Sequence, residues 1–262
     1  MKISHESPIS MLQTSRQYND YEYCLVHLMD NELKYRDFFF ESKEQGRKVL
    51  LDNSIFELGT AFDSEKYAVW IDRLRPDEYI IPDVLEDTVG TMDNAVTFTN
   101  TYKDLPGKKI GVVQGKSYME LTQCYRYLDR YVDVDKIAIS FDYSYYLSVS
   151  NHPNKWMAYT LGRIQVLNRL AQDGIINTNK PHHLLGCALP IEFMFYNYPW
   201  IETIDTSSPI VHGLLGIEYN NYGLTEKQSI KLVDLLHAQP TYSQMVKINK
   251  NLEIFRSFVD KK

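Results

Sequence analysis

Lys48-Val-Leu-Leu-Asp52 is a short apolar run that stops at a carboxylate, and the same pattern returns along the chain. Tyr79-Ile-Ile-Pro-Asp83 and Ile201-Glu-Thr-Ile-Asp205 also end on aspartates. Ile110-Gly-Val-Val-Gln114 ends on an amide and His183-Leu-Leu-Gly186 on a glycine. A strand buried on both faces of a parallel sheet reads as a continuous hydrophobic run. In a β/α barrel the carboxyl ends of such strands face one common mouth, where active sites sit. The runs therefore predict an α/β fold, a (β/α)8 TIM-type barrel, with its chemistry at the ends of these strands.

Working outward, strand-like runs alternate with helical patterns, the mark of βα units. Strands are expected over 22–28, 48–52, 79–82, 109–113, 136–140, 183–186 and 201–205. Helices are expected over 64–74, 88–102, 117–131 and 156–172, and two more, 225–238 and 241–258, close the chain. Ser117-Tyr-Met-Glu120 and Thr225-Glu-Lys-Gln228 each place a hydroxyl three residues before Glu or Gln, the spacing of a capping box. Seven strands are clear. The eighth falls on the short run 213–217, so the barrel is expected to be irregular or incomplete at its last strand. The segments 147–155 and 177–183 read as a loop over the mouth and a connection at the opposite rim. Neither resembles a linker, so residues 1–262 are expected to form a single domain with carboxyl-terminal helices over about 224–259.

With 44% hydrophobic and 24% charged residues, the 262-residue chain has the balance of a folded globular protein. A net charge of −6 gives whole-molecule electrostatics no part in nucleic-acid binding, so any such surface must be a local basic patch. No stretch reaches the roughly 18 apolar residues that cross a bilayer, and the first residues lack the layout of a secretory signal. No membrane association is expected, and cytoplasm is the default. Cys24, Cys124 and Cys187 stand far apart without a C-x-x-C pair, as reduced thiols do. His182, His183 and His212 lack a third metal ligand at sensible spacing, and no metal or cofactor is expected.

Carboxylates that converge on one mouth suit acid/base and nucleophilic work. At a glycosidic bond one ionised carboxylate attacks the anomeric carbon while another moves a proton to or from the leaving base. A third, with a nearby glutamine, can hydrogen-bond the edge of a purine-like ring. A glycine lets the backbone approach a flat ligand, and Phe56 beside the first aspartate offers a ring to stack on it. Each element alone is also ordinary: a strand-end aspartate is more often a helix cap or loop anchor.

Five short motifs in order resemble the queuine and archaeosine tRNA-guanine transglycosylases. Leu51-Asp52-Asn-Ser-Ile-Phe56 resembles that family's Asp-Ser-Gly-Gly-Phe, and Pro82-Asp83 its base-recognition aspartate. Gly111-Val-Val-Gln114-Gly115 is similar to its Val-Gln-Gly, and Leu184-Leu-Gly186-Cys-Ala-Leu-Pro190 to its Met-Gly-Val-Gly-x-Pro. Thr203-Ile-Asp205-Thr-Ser-Ser-Pro209 resembles the strand that holds the nucleophile. The resemblance spans about 49–209. It implies a pentosyltransferase on a β/α barrel that exchanges guanine in a nucleic acid for a 7-deazaguanine, such as 7-cyano-7-deazaguanine. Asp205 would attack the sugar C1′ and hold a covalent glycosyl intermediate, and Asp52 would move protons on the two bases. Asp83, Gln114 and Gly186 would read the heterocycle, with Phe56 stacked on it.

The departures are equally specific. No cysteine follows Cys187 in these 262 residues, so the family's zinc subdomain is not expected. Ser54-Ile55 replaces the first Gly-Gly, and Ser140-Phe141 stands where a second is expected, which places Ser140 and Phe141 at the floor of the pocket. Ile210-Val211-His212 replaces an arginine expected after Pro209. A compact, zinc-free chain is more similar to the DNA-modifying branch found in phages and bacteria. That favours DNA over tRNA as substrate and, for a phage-encoded chain, the host cytoplasm. Whether the unit forms a homodimer is left open. Two other readings compete: a non-catalytic nucleic-acid-binding subunit on the same barrel, and an unrelated barrel enzyme acting on a small metabolite.

The 20 tyrosines, including Tyr143, Tyr145, Tyr146, Tyr196 and Tyr198, are expected mainly to pack. Asp142 is read as a loop cap or a contact to a sugar hydroxyl. Lys247, Lys250, Arg256, Lys261 and Lys262 form a basic tail helix, and Lys155, Arg163 and Arg169 could add to a phosphate-binding patch.

Overall fold

A computed structural model describes residues 1–260 apart from 133 and 225. Its strands are β1 (Lys2–His5), β2 (Glu22–Leu25), β3 (Val49–Asp52), β4 (Glu78–Ile80), β5 (Lys108–Val113), β6 (Lys136–Ile139), β7 (His182–Leu184) and β8 (Ile201–Thr206). They form one sheet in the order β1-β8-β7-β6-β5-β4-β3-β2, and each neighbouring pair is parallel. The result is a nearly closed (β/α)8 TIM-type barrel. Its gap lies between β1 and β2, which share no ladder among the described residues. Side chains bridge it: Ser4 Oγ accepts from the Tyr23 N–H at 3.1 Å, and Asn19 Oδ1 from the His5 N–H at 2.7 Å.

The run 213–217 is not the eighth strand. Gly213 and Leu214 end the Ser208–Leu214 helix, and β1 pairs with β8 instead. Lys-Ile-Ser-His escapes a hydrophobic-run criterion because Ser4 is buried on the Tyr23 N–H and His5 packs its ring edge-on against Tyr18 and Phe255.

Helices Ser64–Leu74, Thr88–Thr101, Tyr118–Tyr127 and Lys155–Gln172 form where periodicity puts them. The first buries Tyr67, Ala68, Ile71 and Leu74 on one stripe and is capped by Asp63. Ser117 caps the third, which runs on into a π-helical turn, Leu128–Val132. Leu33–Glu44, an additional helix, fills the β2–β3 crossover. Between β7 and β8 the link is a 3₁₀ turn, Pro190–Phe195, and the Tyr242–Val259 helix packs there, with Phe255 edge-on to Phe193 at 5.7 Å. That helix lies so close to Ser208–Leu214 that a Cβ at Gly213 would sit 2.4 Å from Ile248 Cγ1.

The expected helix 225–238 does not form. Thr225, and with it the expected capping box, lies outside the described residues. Residues 226–231 are non-helical, followed by a 3₁₀ turn at Leu232–Leu235. Tertiary contacts override propensity here: Leu232 and Leu236 are buried, and the segment spans the barrel mouth. Among the described residues no helix is long and apolar enough to cross a membrane.

Candidate active site

Each of the eight strands delivers a residue to one cavity of about 390 Å³. Glu6 follows β1, Tyr23 lies in β2, Asp52 ends β3 and Asp83 follows β4. Gln114 and Ser140 come directly after β5 and β6, Gly186 follows β7, and Asp205 lies in β8. Phe56 and Phe141 line the same space. The cavity thus gathers all eight residues singled out in the sequence, and its size falls within the range of about 300–1,000 Å³ of small-molecule sites.

Asp52 and Asp205 are held differently. Asp52 Oδ2 accepts from the Tyr23 hydroxyl at 2.6 Å, and Oδ1 from the Ser54 N–H at 2.5 Å. The second bond is a tight local turn, which puts Ser54 in the left-handed region at φ 61°. Asp205 Oδ1 lies 3.0 Å from His183 Nε2. The Gly186 N–H donates to both Asp205 oxygens, at 3.1 and 3.2 Å. Gly186 has φ 63°, a conformation that costs a side-chain-bearing residue but aims the amide at the carboxylate.

Asp83 is gripped by two amides: Asn53 Nδ2 donates to Oδ1 and Gln114 Nε2 to Oδ2, both at 2.7 Å. Gln114 is oriented in turn by the Glu86 N–H, which donates to its Oε1 at 2.8 Å. Ser140 Oγ donates to Asp142 Oδ1 at 2.9 Å. Phe141 stacks near Trp156 (6.2 Å, 18°) and packs with Ala188 and Leu189, while Phe56 is 48% exposed at the rim.

The electrostatics are those of crowded carboxylates in a low-dielectric cleft. Burial pushes Asp52 well above the usual carboxylate range, and Glu57 adds to it against the Tyr23 and Ser54 bonds. Burial also raises Asp83 to about 6 and Glu57 to about 7. Glu6 is raised by burial and then by Asp205, Glu57 and Asp52. Such an array keeps a proton on some carboxyls at neutral pH and can present acid and base in one cleft.

No family model matches the chain, and no curated protein matches it. Among the described residues no group of three or more His, Cys, Asp or Glu is placed to hold a metal ion.

The rim is cationic where the floor is acidic. Lys231 Nζ lies 4.3 Å from the Phe56 ring centroid and Lys227 Nζ 5.2 Å from that of Trp156. Lys155 Nζ sits 5.6 Å over Tyr159. Burial lowers Lys227 from the ordinary lysine range. The patch expected on the tail helix is spent elsewhere. Lys250 pairs with Glu218, Arg256 with Asp20 at 3.2 Å, and Lys247 donates to the Gly216 carbonyl, while 261 and 262 lie outside the described residues. Arg163 cannot meet phosphate: it is fully buried on Glu192 at 2.6 Å. Its Nη1 also donates to the Leu185 carbonyl at 2.7 Å and so braces the turn that carries Gly186.

Glu6, Tyr23, Asn53, Glu57, His183 and Lys227 escaped sequence reasoning as site residues. His183 carried a usable signal. It is in register with Thr203, two residues before Asp205, so strand alternation turns all three to the same interior. Glu6 and Lys227 carried none, since β1 and the segment over the mouth were not read correctly. Tyr143, Tyr146 and Tyr196 pack in the core.

Proposed function

We propose that the chain is a transglycosylase that exchanges a guanine in a nucleic acid, DNA rather than tRNA, for a 7-deazaguanine through an aspartyl-glycosyl intermediate. The observation that carries it is that Asp52, Asp83, Gln114, Gly186 and Asp205, the five positions that resemble the guanine transglycosylases, line one cavity.

In this reading an Asp205 oxygen attacks C1′, the C1′–N9 bond breaks, and its electron pair leaves with the base. Asp52, whose raised pKa suits a protonated carboxyl, delivers a proton to the departing guanine. The ionised Asp52 then takes the N9 proton of the incoming 7-deazaguanine. N9 attacks C1′ and releases Asp205, so two inversions retain the anomeric configuration. The amide-gripped Asp83 and Gln114 match the donor and acceptor edge of guanine, and Phe56 supplies a stacking face. Asn53 supports Asp83 where the family motif has serine. Lys155, Lys227 and Lys231 ring the mouth where the polymer's phosphates pass. Exchange chemistry on an extruded base needs a deep cleft of this kind.

Incubation with guanine-labelled duplex DNA, single-stranded DNA and tRNA, each with 7-cyano-7-deazaguanine, tests it. The expected result is release of labelled guanine with DNA and a covalent protein–DNA adduct that Asp205→Ala abolishes. Equal behaviour of wild type and Asp205→Ala on every polymer would overturn it.

A further inference from the structure

A chain of buried polar groups runs through the barrel interior and ends on Asp205. Lys136, 1% exposed at the start of β6, places Nζ 2.7 Å from Glu78 Oε2, 2.9 Å from Glu202 Oε2 and 3.3 Å from Thr203 Oγ1. Thr203 Oγ1 lies 2.9 Å from His183 Nδ1, and His183 Nε2 lies 3.0 Å from Asp205 Oδ1. His183 is wholly buried.

For a neutral imidazole, donor counting and the facing Asp205 carboxylate together set the direction. An ammonium has three N–H donors and no acceptor, so Lys136 directs one proton to each of its three partners and Thr203 Oγ1 must accept. The threonine's own proton is then available to His183 Nδ1. With Nδ1 accepting, the imidazole carries its proton on Nε2, facing Asp205. The opposite tautomer would set a nitrogen lone pair against a carboxylate oxygen, which is repulsive. Oδ1 consequently takes two bonds, from His183 and Gly186, while Oδ2 takes only the longer branch of the Gly186 bond.

We propose that His183 is the positioning residue for Asp205: set in its Nε2–H form by Thr203 and Lys136, it ties down Oδ1 and leaves Oδ2 as the attacking oxygen. Its kinetic consequence rests on the transglycosylase reading, whereas the tautomer does not.

Two measurements on the full chain test it. The first is the ¹⁵N–¹H correlation of the histidine side chains, with His183 assigned by its loss in His183→Phe, or in His183→Gln where the phenylalanine variant does not fold. Wild type is expected to give the Nε2–H pattern at His183, and Thr203→Val to lose or mix it. An Nδ1–H pattern in wild type, or one unmoved by Thr203→Val, would overturn the proposal. The second is base exchange by His183→Phe, which keeps a ring beside Tyr23 but has no donor. Loss of one hydrogen bond to a charged group is expected to lower kcat about 10–100-fold with KM little changed. His183→Gln, which can present an N–H at the Nε2 position, should recover most of it. An active wild type with an equally active His183→Phe would refute the proposal. An inactive wild type would count against the transglycosylase reading alone, and the tautomer measurement would still decide the role of His183.

Discussion

The rings of Tyr23 and His183 lie 6.0 Å apart and within 13° of parallel, and each holds a different carboxylate of the cavity. Tyr23 donates to Asp52, and His183 meets Asp205. Two acids that stand 153 positions apart in sequence are thus set by neighbouring side chains of β2 and β7, strands that are not adjacent in the sheet. A buried ring changes position less readily than a flexible chain, so this pairing fixes the geometry before substrate arrives.

Asp52→Asn should slow base exchange by about 10²–10⁴-fold, the usual contribution of a general acid–base. It should change stability little, because Oδ1 can still accept from the Ser54 N–H while the amide nitrogen faces the Tyr23 oxygen, which can accept. Single-turnover rates together with thermal melts check both halves. A variant that loses activity only because it melts would count against the assignment.

Asp83 titrates at about 6 in the fold, above the ordinary value of 3.8. Between these values the native state binds more protons than the unfolded chain, so stability falls as pH rises. The contribution is full below about pH 4 and is lost by about pH 6, on the order of 3 kcal/mol at 1.36 kcal/mol per pKa unit. Asp83→Asn should flatten this part of the profile. Urea unfolding of both proteins at pH 4, 5, 6 and 7 measures the difference, and parallel profiles would remove the buried Asp83 from the account.

Arg163 and Glu192 are both fully buried. Arg163→Met alone strands the Glu192 charge and should cost about 3–5 kcal/mol. The double replacement Arg163→Met with Glu192→Leu should recover most of that loss. Tyr196, which donates to Glu192, limits the recovery. Chemical denaturation of the single and double variants gives the coupling directly.

Gly186→Ala should destabilise by about 1–2 kcal/mol, the cost of left-handed backbone for a residue with a Cβ. Space is not the reason, since a Cβ there would meet Phe141 Cβ at an ordinary 3.5 Å. If the backbone relaxes, the N–H swings away from Asp205 and exchange slows as well. Kinetics and melts of the one variant separate the two effects.

Lys155→Ala and Lys231→Ala should each weaken DNA binding across sequences and reduce the slope of log K against log salt by about 1. Lys250→Ala, whose ammonium pairs with Glu218, should leave the slope unchanged. A salt titration on single-stranded DNA reads all three. Equal slopes for the rim and tail variants would move the phosphate path elsewhere.

The sequence by itself determined the barrel and the position of its mouth, because seven apolar runs and their intervening helices carry periodicities that few other folds satisfy. It also placed Asp52, Asp83, Gln114, Gly186 and Asp205 at strand ends, since a run's last residue is read directly. Tertiary structure alone decided the rest. β1 pairs with β8 by a backbone ladder but reads Lys-Ile-Ser-His, which has no hydrophobic signature. Residues 226–236 abandon helix because burial of Leu232 and Leu236 at the mouth outweighs local propensity. The chain from Lys136 through Thr203 to His183 and Asp205 is assembled from three neighbouring strands, β6, β8 and β7. Contacts of that kind depend on which side chains the closed sheet turns inward together, a property that no single segment carries.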